Sequence, residues 1–235
     1  MSPLSHGRLA RLLRWGLAAL LLPPLLLLGS VEAVYRYELS HVGELPRAPR
    51  PRTGFVLQVL WAVEERGPLQ LEPLWPWRFV NNFIEAARHG GRGRRSAGQH
   101  LASMVAGRWL ASRPRGERAL HSSLHRLVLS IWISRHWTAE ELLTAYAEGA
   151  SCGKGLMGLD AASRRYFDKE PEQLALHEVA LLAGLPQAPS RYDPLRRPEA
   201  ALKRREYVLS RLVDLGWISE TQREEARIQP LLQSR

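Results

Sequence analysis

The chain has 235 residues, 45% of them hydrophobic, which is enough for one packed domain plus an appendage and excludes global disorder. Its net charge of +10 is carried almost wholly by arginine, whose planar fork grips phosphate oxygens through two parallel hydrogen bonds, so a phosphate-bearing partner is expected. The one cysteine, Cys152, excludes an internal disulfide and reads as a small buried apolar residue.

The first element is a membrane anchor. "MSPLSHGRLARLLRW" carries Arg8, Arg11 and Arg14, and an uncharged run, "WGLAALLLPPLLLLGSV", follows from Trp15 to Val31. Ala33 and Val34 extend the run past Glu32, bringing it to the length a helix needs to span a bilayer. Arginines before the run place the N-terminus in the cytoplasm, and Tyr35 and Tyr37 mark the exit. Pro23-Pro24 is expected to kink the helix, which a membrane span tolerates. The competing reading is a signal peptide cleaved near Val31-Glu32-Ala33; the length of the run and the tyrosines favour a retained anchor. Either way the remainder lies outside the cytoplasm. That excludes nucleic acid as the partner and leaves a lipid headgroup or a pyrophosphate.

The expected organisation is a basic tail at 1–14, an anchor at 15–34, a proline-rich linker at 35–53 and one domain at 54–235. The domain reads as mainly α, without alternating strand runs. "GFVLQVLWAVEERGP" is an apolar run closing on adjacent acids, Glu64 and Glu65. "GRGRRSAGQ" and "SRPRGE" read as basic loops. Leu120, Leu124, Leu127 and Ile131 form a helical stripe leading into "LVLSIWI", which is apolar all round and predicts a helix through the domain centre. Thr138 with Glu141, and Ser219 with Gln222, read as capping boxes. Gly153, Gly155 and Gly158 mark a loop of close backbone approach, and "LALHEVALLAG" reads as a helix that stops at Gly184.

The stretch from Glu140 to Ile218, above all "ALLAGLPQAPSRYDPLRRPEAALKRR", resembles the C-terminal half of glycosyltransferase family 51, the peptidoglycan glycosyltransferases of penicillin-binding proteins and monofunctional transglycosylases. The pattern of Gly153, Gly155, Gly158, Ala161, Ala162, Tyr166 and Phe167 supports it. The resemblance implies a lysozyme-like, mostly α fold behind a single transmembrane helix in the bacterial cytoplasmic membrane, facing the periplasm or exterior. It implies lipid II, a disaccharide-peptide on undecaprenyl pyrophosphate, and the glycan strand as substrates. Other cell-wall synthesis proteins are the implied partners, and a divalent metal such as Mg the implied cofactor. No transpeptidase domain is expected to follow.

Extended toward the N-terminus, the resemblance puts Glu64 on the carboxylate that deprotonates the acceptor hydroxyl and Glu65 on its aspartate neighbour. Pro68, Leu71 and Pro73 depart from the phenylalanine, histidine and glycine of that motif. In the second motif Gly93, Ser96, Gln99 and Leu101 agree, and His100 replaces a glutamine. In the third, Arg118 and Leu120 remain, Ser122 and Ser123 replace an Arg-Lys pair, and Arg126 replaces the second glutamate. In the fourth, Leu142, Leu143 and Tyr146 fit, whereas Ala139 replaces lysine and Glu148 replaces asparagine. By this resemblance Glu64 is the catalytic residue, and Ser96, Gln99, His100, Arg118, Arg126, Tyr146 and Glu148 are the substrate-binding set. Arg126 cannot ligate a metal but can clamp a pyrophosphate directly, with Arg94, Arg95 and Arg118.

Two readings stay open: a divergent transferase using Glu64 with arginine clamping, and a non-catalytic relative that binds lipid II or scaffolds partner enzymes. A lytic hydrolase is disfavoured, since no second carboxylate stands at a credible spacing. Trp75, Trp77 and Phe79 suit either a bilayer interface or core packing.

Overall fold

The structure is a computed structural model that describes residues 6–65, 69–78, 96–113, 122–153 and 155–232. Arg94, Arg95, Arg118, Leu120, Phe79 and Pro68 lie outside the described residues, as does most of both basic loops. The chain divides into two compact units, one of residues 1–45 and 75–94, the other of 46–74 and 95–235.

In the first unit α1 runs from His6 to His41, with Pro23 and Pro24 inside it. Residues 14–41 are long and apolar enough to cross a membrane and none of the most apolar window is buried, so its leucines have no protein core to fill. The helix continues through residues 35–41, which were expected to be linker. Arg36 pairs with Glu32 one turn earlier at 3.1 Å, an i, i+4 contact that supports those extra turns. Trp75 and Trp77, in the same unit, stack with ring centroids 4.7 Å apart.

The second unit is helical, and among its described residues the β pairing is a single isolated bridge between Ser151 and Met157. Its helices are α2 (Phe55–Glu64), α3 (Gln99–Ser112), α4 (Ser122–His136), α5 (Ala139–Glu148), α6 (Leu159–Phe167), α7 (Leu176–Gly184), α8 (Pro198–Asp214) and α9 (Glu220–Arg227). Helix α2 buries Val56, Leu57, Val59, Leu60, Trp61 and Ala62, because α5, α7 and α8 all pack on it. Helix α7 is buried from Glu178 to Gly184, and its alanines let α2 and α8 approach closely.

Both capping boxes form: Thr138 Oγ1 accepts from the Glu141 N–H while Glu141 accepts from the Thr138 N–H, and Ser219 and Gln222 do the same. Gly153, Gly155 and Gly158 adopt φ of 103°, 77° and 89°, the left-handed region expected for that loop. Helix α7 ends at Gly184, as its sequence predicts, although Gly184 itself keeps a right-handed φ of −79°.

Helix α4 departs from its predicted stripe. Leu124 is exposed and His125 is buried, with Val128, Leu129, Ile131 and Ile133 behind it. The helix packs chiefly on α3, and of the predicted stripe Ile131 is buried, Leu127 half-buried and Leu124 exposed. The segment 128–134 is buried apart from Trp132, while α2 and α7, not α4, carry the centre of the unit.

Candidate active site

Glu64 is the last residue of α2, and the chain turns extended at Glu65, whose N–H closes the helix on the Trp61 carbonyl at 2.7 Å. A carboxylate at a helix C-terminus faces unpaired carbonyl dipoles and needs a donor to hold it. The donor is Tyr146 of α5, whose hydroxyl lies 3.2 Å from Glu64 Oε1. Tyr146 is 2% exposed. Burial first, then the Glu64 carboxylate, pushes its phenol well above the usual value, so the proton stays on tyrosine and the bond runs from hydroxyl to carboxylate.

Two arginines absent from the sequence-derived set stand around this pair. Arg108, on α3, donates from Nη1 to the Tyr146 carbonyl at 3.1 Å and places its guanidinium 4.9 Å from the Tyr146 ring centroid. Arg204, on α8, donates from Nε to the Gly184 carbonyl at 3.1 Å and lies 4.8 Å from the ring centroid of Tyr207 and 5.6 Å from that of Tyr192. Gly184 makes room for it: a Cβ there would fall 2.9 Å from Arg204 Cγ. Burial lowers the Arg204 pKa, and the fields of Tyr192, Glu64, Tyr207 and Tyr146 oppose that shift, so Arg204 senses the Glu64 charge.

The start of α3 is seated beside α2 through Gly98. At φ +77° its backbone packs so closely that a Cβ would lie 2.5 Å from Leu71 and 3.3 Å from Trp61. This brings Ser96 and Gln99 to the neighbourhood of α2. The Gln99 side chain accepts from the Ser96 N–H at 3.2 Å and so ties the first residue of α3 to the turn that precedes it. Ser96 is 3% exposed and His100 is exposed. Ser96 and Tyr146, both expected as substrate contacts, are thus packed inside and act on what surrounds them.

Arg126 is exposed on α4, with its stem against α3: a Cβ at Gly107 would lie 3.2 Å from Arg126 Cδ. No contact among the described residues joins Arg126 to Glu64. Glu148 ends α5 and is exposed, and its carbonyl would lie 2.9 Å from a Cβ at Gly158. Among the described residues no group of three His, Cys, Asp or Glu side chains could hold a metal ion. With Arg126 offering donors only, the donor set does not fit a divalent cation. A pocket of about 170 Å³ opens at the other end of α2, but its charges are already matched, Arg52 to Asp160 at 2.7 Å and to Glu172 at 3.5 Å.

A family model described as Transglycosylase matches residues 80–213, more than half of the chain. The chain belongs to the transglycosylase family. The match includes α3 to α8 and therefore Arg108, Arg126, Tyr146 and Arg204, while Glu64 lies before its start. Among relatives, penicillin-binding protein 1A of Aquifex aeolicus is 40% identical over 115 residues, covering 49% of this chain and 16% of that protein. Penicillin-binding protein 1A of Mycolicibacterium smegmatis is 33% identical over 169 residues, 72% of this chain and 21% of that protein. The crystal structure of penicillin-binding protein 1A from Haemophilus influenzae aligns at 25% identity with a TM-score of 0.35, covering 57% of this chain and 17% of that one. This transglycosylase chain thus spans less than a quarter of the length of those relatives.

Proposed function

We propose that this transglycosylase is a divergent peptidoglycan glycosyltransferase of cell-wall synthesis, held in the bacterial cytoplasmic membrane by α1 with its domain on the outer face. Lipid II is its substrate and the glycan strand its product. The observation that carries this reading is the bond from buried Tyr146 to Glu64 at 3.2 Å, which fixes the carboxylate that the family resemblance assigns to proton removal.

In the reaction Glu64 accepts the proton of the acceptor sugar hydroxyl. The freed oxygen bonds to the anomeric carbon of the donor, the carbon–oxygen bond to the pyrophosphate breaks, and the lipid diphosphate leaves with its electrons. The charge growing on that leaving group needs a cation. Arg126, exposed and free of ion pairs among the described residues, supplies it as a two-pronged clamp. Arg204, which senses the Glu64 charge, adds a second cation to the surroundings of the carboxylate.

The second reading, a non-catalytic protein that binds lipid II or scaffolds other cell-wall enzymes, is favoured by one observation: Arg126 and Ser123 stand exposed where the family resemblance expects glutamate and lysine. Glycan polymerisation from labelled lipid II, run on wild type, Glu64→Gln and Arg126→Ala, separates the two. Polymer from wild type and none from Glu64→Gln establishes the transferase. Lipid II binding that depends on Arg126, without polymer, establishes the binder.

A further inference from the structure

Arg108 is a half-buried arginine in an expensive position. Its Nη2 is enclosed and has no hydrogen-bond partner, and desolvation lowers its pKa. An apolar residue of equal length would avoid both costs. The backbone is shaped to admit it all the same: a Cβ at Gly149 would stand 2.5 Å from Arg108 Nη1 and 3.0 Å from Cζ. In that seat the guanidinium touches one residue from two sides, the Tyr146 carbonyl at 3.1 Å and the Tyr146 ring at 4.9 Å. The far end of the same ring carries the hydroxyl that donates to Glu64 at 3.2 Å.

We infer that Arg108 is a positioning residue for Glu64, acting through Tyr146. A planar, charged fork can hold a main-chain oxygen and an aromatic face together, which neither lysine nor an aliphatic chain can do. With the ring fixed, the phenol meets one oxygen of Glu64 and leaves the other for the acceptor hydroxyl. Because Nη2 is enclosed, Arg108 does not itself grip a ligand. Its neighbour on α3, Gly107, receives the stem of Arg126, so one turn of α3 seats both the arginine that orients the carboxylate and the arginine proposed to meet the diphosphate.

The inference rests on the reading of Glu64 as the reactive carboxylate, and its test separates the two. In the full-length protein in detergent, the infrared difference between wild type and Glu64→Gln isolates the Glu64 carboxylate band. Tyr146→Phe removes the hydroxyl alone and is expected to shift that band. Arg108→Met, and Gly149→Ala, which crowds the guanidinium without removing it, are each expected to reproduce the shift, with no added displacement in combination with Tyr146→Phe. In lipid II polymerisation each variant lowers kcat about tenfold to a hundredfold with KM little changed, the cost of a misplaced catalytic group. Thermal unfolding identifies which variants are folded, and either Arg108→Met or Gly149→Ala suffices. A folded Arg108→Met or Gly149→Ala with the wild-type band, or a Tyr146→Phe band that does not move, overturns the positioning role. If wild type makes no polymer, the transferase reading fails while the band still decides the role of Arg108.

Discussion

Tyr146 reaches across 82 residues of sequence to place its hydroxyl 3.2 Å from Glu64 Oε1, and this contact joins the end of α2 to the buried face of α5. It gives a carboxylate at an unfavourable helix terminus a neutral donor that burial keeps protonated. The rest of the unit can be judged by how firmly it holds those two helices and α3 around them.

Gly98 is a tight joint. Its φ of +77° and a Cβ only 2.5 Å from Leu71 Cδ1 combine backbone strain with overpacking against Trp61. Gly98→Ala is expected to cost about 2–4 kcal/mol, from roughly 1–2 for the backbone and the rest for crowding. Gly155→Ala shares the φ of +77° but meets open space, so it loses the backbone part alone. Thermal unfolding of the two variants side by side checks the difference.

Glu178 is fully buried and shared between the N–H of Ala175 and the Lys169 ammonium, 2.8 Å away. Removing the lysine strands a charge, so Lys169→Met is expected to destabilise by about 3 kcal/mol. Arg164→Ala breaks the fully exposed pair with Glu170 and is expected to leave stability near wild type. Urea unfolding of both variants measures the contrast.

His177 gives a pH dependence with a definite sign. Burial is the largest influence on it and lowers its pKa below the usual 6.5. Just below the unfolded value the unfolded chain therefore binds more protons than the native one. Stability contributed by neutral His177 is complete above about pH 6.5 and is lost as pH falls toward the folded value. In His177→Asn the slope of stability against pH in that window is expected to flatten. Urea midpoints from pH 7 down to pH 5 measure it.

Much of this unit is legible in the residues. Thr138 with Glu141 and Ser219 with Gln222 declare helix starts because their partners lie three positions away, within reach of a local rule. Gly153, Gly155 and Gly158 likewise declare left-handed backbone. The stripe of α4 holds at Ile131 and misleads at Leu124, because burial is decided by α3, which turns His125 inward and Leu124 outward. Tyr35 to His41 reads as the start of a linker, yet the helix runs on through it.

Arg108 and Arg204 are invisible in the sequence because an arginine on a helix reads as a solvated surface residue. What makes room for them is a glycine on a distant helix end, Gly149 for one and Gly184 for the other. Gly184 reads as a helix stop, and its second use, as the seat of Arg204, depends on a contact 20 residues away. A glycine at a helix end facing an arginine-bearing helix was the one available signal, and it becomes decisive only once the helices are packed.

The central claim is that Glu64 removes a proton during glycan transfer. The most direct measurement is polymerisation of labelled lipid II by the full-length protein in membranes or detergent, wild type against Glu64→Gln. The account predicts polymer from wild type and a fall of about a hundredfold or more in Glu64→Gln, the scale of a lost general base. Polymer made equally by both, or none from a folded wild type that still binds lipid II, would contradict it.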